Sequence, residues 1–142
     1  MKVSTTIRAR PQAVWPHLAA LDSHVQWMAD ADAIRFTTPQ RRGIGTSFEC
    51  DTRVGPFRLT DRMEVTEWEE GRLIGVRHCG LVAGTGRFIL ERLDRGESTR
   101  FTWEEELAFP WRLATPVLGA IWRRNLSRLK TKIESSPSAA SE

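Results

Sequence analysis

The chain has 142 residues, enough for one domain with a sizeable core and too few for two independent ones. With 40% hydrophobic and 27% charged residues, six Trp, six Phe and no Tyr, it is too apolar for disorder and too evenly mixed for a membrane protein. A net charge of +3 is a weak argument for nucleic acid, and two cysteines cannot make the multi-bridge framework of a small secreted domain.

Residues 2–8 are rich in Val, Thr and Ile and read as a first strand. Pro11 suits a helix start, and Val14, Trp15 and Leu18 place a short amphipathic helix over residues 11–19, with Pro16 limiting its regularity. Asp22 or Ser23 offers an N-cap for a second short helix carrying Val25, Trp27 and Met28. The period then changes to alternation, which predicts six strands over 33–37, 46–53, 57–68, 73–79, 86–93 and 100–107. Turn chemistry separates them, including a glycine-rich turn from Gly80 through Gly84 to Gly86, and short connections favour an antiparallel meander. A long helix over 116–134 follows, with Thr115 as N-cap, Pro116 at its first position, and Leu118, Ile121, Trp122, Leu126, Leu129 and Ile133 on one stripe. Residues 135–142 are small and polar and read as a disordered tail.

One strand, two short helices, six strands and a long helix make an α+β chain rather than a parallel nucleotide-binding sheet. No glycine-rich phosphate loop, nucleophile elbow or Cys/His cluster with metal-ligand spacing is present, and Cys50 and Cys79 read as free thiols. Neither a cofactor nor a metal is expected. The start of the chain lacks the apolar run of a secretory signal and no stretch is apolar enough to span a bilayer, so a cytoplasmic location without stable membrane insertion is expected.

The run Val3-Ser4-Thr5-Thr6-Ile7 followed by Pro11-Gln12-Ala13-Val14-Trp15, then Val65-Thr66-Glu67-Trp68, Phe101-Thr102-Trp103 and the long last helix, resembles the START/Bet v 1-like (SRPBCC) superfamily. Within it, the similarity is to the polyketide cyclase/dehydrase and lipid-transport group, over about residues 1–134 as a single domain. The resemblance implies a helix-grip fold: a curved antiparallel sheet of about seven strands around the C-terminal helix, with an apolar cavity between them. It also implies a small hydrophobic ligand, such as a lipid, polyketide or aromatic compound, and in some members cyclisation, aromatisation or dehydration.

Strand alternation assigns cavity-facing side chains: Phe48 and Cys50 on the third strand, Met63 on the fourth, Val76 on the fifth, Phe88 on the sixth and Trp103 on the seventh. Trp27, Leu118, Ile121 and Trp122 come from the helices, so that Trp27, Trp103 and Trp122 either converge on a ligand or form an ordinary aromatic core. Trp15 and Trp68 are expected behind the sheet or at its edge, and Trp111 beside a cavity entrance. Asp61, His78 and Glu105 interrupt apolar faces, at a cost unless each finds a partner. They either project into the cavity or bond a neighbouring strand.

Three function classes follow. The first is a carrier or sensor of a small hydrophobic molecule, monomeric or homodimeric and without nucleic acid. The second is an enzyme of the polyketide cyclase/aromatase kind, with His78 or Asp61 in proton transfer. The third, an interaction module using the basic face of the last helix, requires a filled cavity.

Overall fold

Alternation of apolar and polar residues builds seven strands, which a computed structural model describes with the helices over residues 1–108 and 111–135, the side chains of Trp111 and Arg112 excepted. They are β1 (Lys2–Ile7), β2 (Ala31–Phe36), β3 (Ser47–Val54), β4 (Phe57–Glu69), β5 (Leu73–Cys79), β6 (Ala83–Leu93) and β7 (Ser98–Leu107). All pair antiparallel in the order β1-β7-β6-β5-β4-β3-β2, so six strands form a meander and the first strand returns to pair with the last. The sheet curls into a half-barrel whose concave face holds the helices.

Helix α1 (Pro11–Ala19) begins at a proline and buries Val14, Trp15, Leu18 and Ala19. Pro16 removes one helical donor, and the helix ends within a turn of it. The next segment differs from the expected capped helix. Leu21–Gln26 is a 3-10 helix with no side-chain cap, because the Ser23 hydroxyl donates to the Ala20 carbonyl (2.6 Å) instead of receiving a backbone N–H. Trp27 ends this segment rather than lying within it, and its ring is buried against Phe88, Phe101 and Trp103.

Helix α2 (Thr115–Glu134) starts one residue earlier than expected, with Ala114 as the flanking residue, so Thr115 is its first helical residue and not its cap. Trp122, Leu126, Leu129 and Ile133 form its buried stripe. The last three are almost fully enclosed beside Ile7, Val14, Leu18 and Phe101, and each contributes about 1.5–3 kcal/mol of burial. This packed half of the helix fills one end of the curl. Of the tail, only Ser135 is described. The side chain of Trp111 lies outside the described residues, so the expected entrance position is not tested.

Two further departures come from strand pairing. Residues 83–86 belong to β6 rather than to a turn, which leaves Gly80 to Val82 as the connection. A bulge between Val65 and Glu67 reverses the alternation, so that Trp68 stands opposite Ile74 on the concave face, not behind the sheet. There it meets Trp15 edge to face at 5.5 Å, and both indole N–H groups donate to Glu70, at 3.0 Å from Trp15 and 2.8 Å from Trp68.

One polar residue of the α2 stripe is fully buried. Asn125 accepts the Ala29 backbone N–H (2.9 Å) and donates to Asp30 (2.7 Å), which ties the helix to the segment before β2. Asn125→Ala strands both partners, and a loss of about 1–3 kcal/mol is expected in urea unfolding. An unchanged midpoint would show that this tie is not structural.

Candidate functional site

The first half of α2 stands off from the sheet and leaves a cavity of about 610 Å³ lined by Ala114, Val117, Leu118 and Trp122 from the helix side. From the sheet side, Phe48 and Cys50 of β3, Met63 of β4, Val76 of β5, Phe88 of β6 and Trp103 of β7 line it. Trp103 and Trp122 stack at 5.0 Å with 21° between their planes, forming one aromatic wall. Two of the expected wall residues are elsewhere. Trp27, just past the 3-10 segment, is sealed in the core behind Phe88 and Trp103, and Ile121 packs against that core, one helical step off the face of α2 turned to the cavity.

Asp61, His78 and Glu105 are brought together in the wall. The His78 Nδ1–H points at both oxygens of Asp61, at 3.1 and 2.9 Å, and the Nε2–H at Glu105 Oε2, at 3.0 Å. The other Glu105 oxygen accepts the Trp103 indole N–H at 3.0 Å. All three are buried, and the contacts cross four strands. Asp61 on β4 meets His78 on β5, and Glu105 on β7 reaches over β6 to the same ring. The crossing is possible because β6 presents Gly86 opposite Glu105: a Cβ there would lie 2.6 Å from the carboxylate oxygen. Gly84, at φ +143, lies alongside, and a Cβ on it would meet the Glu106 carbonyl at 2.0 Å.

Burial by itself pushes the His78 pKa down, but hydrogen bonds to Asp61 and Glu105 and the charges of both outweigh it and lift the value to about 10. The ring is therefore an imidazolium at neutral pH, with both N–H groups committed to carboxylates. His24, which the sequence reading left unassigned, behaves in the opposite way. It lines the cavity beside Phe88, its Nε2–H donates to the Leu18 carbonyl at 2.8 Å, and burial drives its pKa down to about 4 despite that bond and the nearby Asp22. Burial likewise raises the Cys50 thiol to about 11, so it is no thiolate nucleophile at neutral pH. Among the described residues, no three His, Cys, Asp or Glu side chains form a metal-binding group.

His24, Asp30 and Gly86 were not singled out as site residues. Parity on a strand cannot reveal them: two lie on irregular segments, and the third matters through what crosses it.

A family model described as polyketide cyclase/dehydrase and lipid transport matches residues 1–134. No curated protein matches the sequence. Among solved structures, the fold is similar to a START superfamily protein from Mycobacterium smegmatis, at TM-score 0.76 and 12% identity, covering 94% of this chain and 96% of that one. It is also similar to the protein XoxI from Bacillus cereus, at TM-score 0.76 and 12% identity, covering 95% of each chain. A third similarity is to the di-domain ARO/CYC StfQ from the steffimycin biosynthetic pathway, at TM-score 0.74 and 19% identity, covering 94% of this chain and 44% of that one. At these identities the likeness is one of fold. No helix among the described residues is long and apolar enough to cross a membrane.

The two histidines set opposite pH limits on stability. Between 6.5 and about 4 the unfolded chain takes up a proton that buried His24 refuses, so stability falls as pH falls. Between 6.5 and about 10 the unfolded chain has lost the proton that His78 keeps, so stability falls as pH rises. Thermal melts across this range should peak near neutrality, and His78→Gln should flatten the alkaline limb. A wild-type Tm that climbs from pH 7 to 9 would contradict this assignment.

Proposed function

We propose that this chain, which belongs to the polyketide cyclase/dehydrase and lipid-transport family, binds one small apolar molecule between the curled sheet and the first half of α2, as a carrier or sensor. The observation that carries the reading is the cavity itself. At about 610 Å³ it has the size of a small-molecule site, and its wall is apolar apart from a few convergent polar groups. Moving apolar ligand surface out of water at roughly 25 cal/mol per Å² supplies the affinity, and the polar end sets orientation. The stacked Trp103 and Trp122 offer a flat wall for a ring or an extended chain.

A second reading, proton transfer in a cyclase-type reaction, draws on the position of Asp61, His78 and Glu105 in the cavity wall. In that reading Asp61 is the acceptor, since a doubly bonded imidazolium has no lone pair to receive a proton. The clamp favours binding over turnover: a ring held by two carboxylates keeps both protons, and donating either one breaks a charge-assisted hydrogen bond.

Native mass spectrometry of protein taken directly from cells, followed by tryptophan-fluorescence titration with fatty alcohols, sterols and aromatic polyketides, tests the reading. A co-purified or saturably bound apolar molecule is expected, and Trp122→Ala should weaken its binding by about 1–3 kcal/mol through lost wall area. No adduct and no saturable quenching across the panel would overturn the proposal. Equal affinity in the variant would remove Trp122 from the site.

A further inference from the structure

The hydrogen-bonding inventory of the cavity is one-sided. Among the described residues, the side-chain donors beside Asp61 and Glu105 are already spent. Both N–H groups of His78 go to Asp61 and Glu105, and the indole N–H of Trp103 goes to Glu105. The His24 N–H goes to the Leu18 carbonyl, and the Thr52 hydroxyl to the Cys50 sulfur. Arg87 belongs to a strand position between Gly86 and Phe88, which face inward, so although it borders the cavity its guanidinium runs toward the opposite face, where Nη2 donates to Glu67 at 3.2 Å and Nε is buried without a hydrogen-bond partner. The indole N–H of Trp27 has no partner, but Trp27 is sealed in the core and is not part of the wall.

Acceptors, by contrast, are in surplus. A carboxylate offers about four lone-pair positions. Among the described residues, Asp61 meets one donor, the His78 Nδ1–H, which its two oxygens share. Glu105 meets two donors, one on each oxygen. Asp30, also in the wall, accepts the Asn125 amide at 2.7 Å. The formal charge of the clamp is negative as well, with Asp61 and Glu105 facing one imidazolium.

Resting on the reading of the cavity as a ligand site, we infer that its ligand carries a hydrogen-bond-donating head, a hydroxyl or an amine, which Asp61 and Glu105 receive, and that the cavity selects against carbonyl and carboxylate heads. A donor entering here completes under-used buried acceptors. An acceptor-only head finds no free donor beside Asp61 and Glu105 and loses its hydration there without replacement, and a carboxylate meets like charge besides. Fatty acids are thus the wrong class of amphiphile for this protein, and apolar alcohols, phenols and amines the right one.

Isothermal titration of the wild-type chain at pH 7.5 with decan-1-ol, decan-2-one and decanoate, the first two below their solubility limits and the last below its micellar concentration, isolates the head group at constant chain length. Decan-1-ol should bind saturably, and the two acceptor-only ligands at least about tenfold more weakly, as expected for one hydrogen bond to a buried charged group. In Asp61→Asn, which puts an amide donor at this end, the gap should narrow. Equal or tighter binding of decan-2-one or decanoate in the wild type overturns the inference and leaves the cavity reading standing. So does failure of all three ligands while Nile red still binds saturably. If Nile red fails as well, the cavity reading falls and this inference with it.

Discussion

Two carboxylates cannot sit in the wall of an apolar cavity without compensation, and one imidazolium between them supplies it. The cost of burying Asp61 and Glu105 is offset only while both carboxylates reach the same ring. That requirement reaches well beyond three residues. It fixes β4 against β5, demands that β6 carry no side chain at Gly86, and places Glu105 where its second oxygen holds the Trp103 indole. Trp103 in turn stacks on Trp122, so the polar clamp positions the surface against which the gripping helix rests.

The rest of the fold divides the curl of the sheet into a closed end and an open one. At the closed end Leu126, Leu129 and Ile133 of α2 interdigitate with Ile7, Leu18 and Phe101, leaving no space to fill. Asn125 marks the change, tying the helix to Ala29 and Asp30 before β2. Beyond it the same helix turns Leu118 and Trp122 toward the cavity, with Trp122 stacked on Trp103. The packed end stabilises the fold, and the open end forms the cavity.

Much of this was readable from residue order, because antiparallel strands announce themselves by period two and the order of elements excluded a parallel sheet. The inward parity of Asp61, His78 and Glu105 followed from the same alternation. Their union did not. It depends on cross-strand register, which one chain read end to end does not contain, and on Gly86, whose meaning lies in what passes over it. Trp68 was misplaced for a related reason: one extra residue in the bulge after Val65 exchanges the two faces of the strand. Trp27 and Ile121 were displaced because an apolar residue looks the same in sequence whether it meets a core or a cavity. Asn125 gave no signal, since a polar residue in an apolar stripe reveals neither its burial nor its partner.

The account turns on a doubly bonded, positively charged His78, and nitrogen-15 NMR of the imidazole observes that state directly. At pH 8 both ring nitrogens should show protonated shifts and slowly exchanging N–H protons, with no titration between pH 6 and 8. A ring that titrates with a midpoint near the ordinary value of 6.5 would mean that the clamp does not hold, and the acceptor-lined cavity built on it would have to be abandoned.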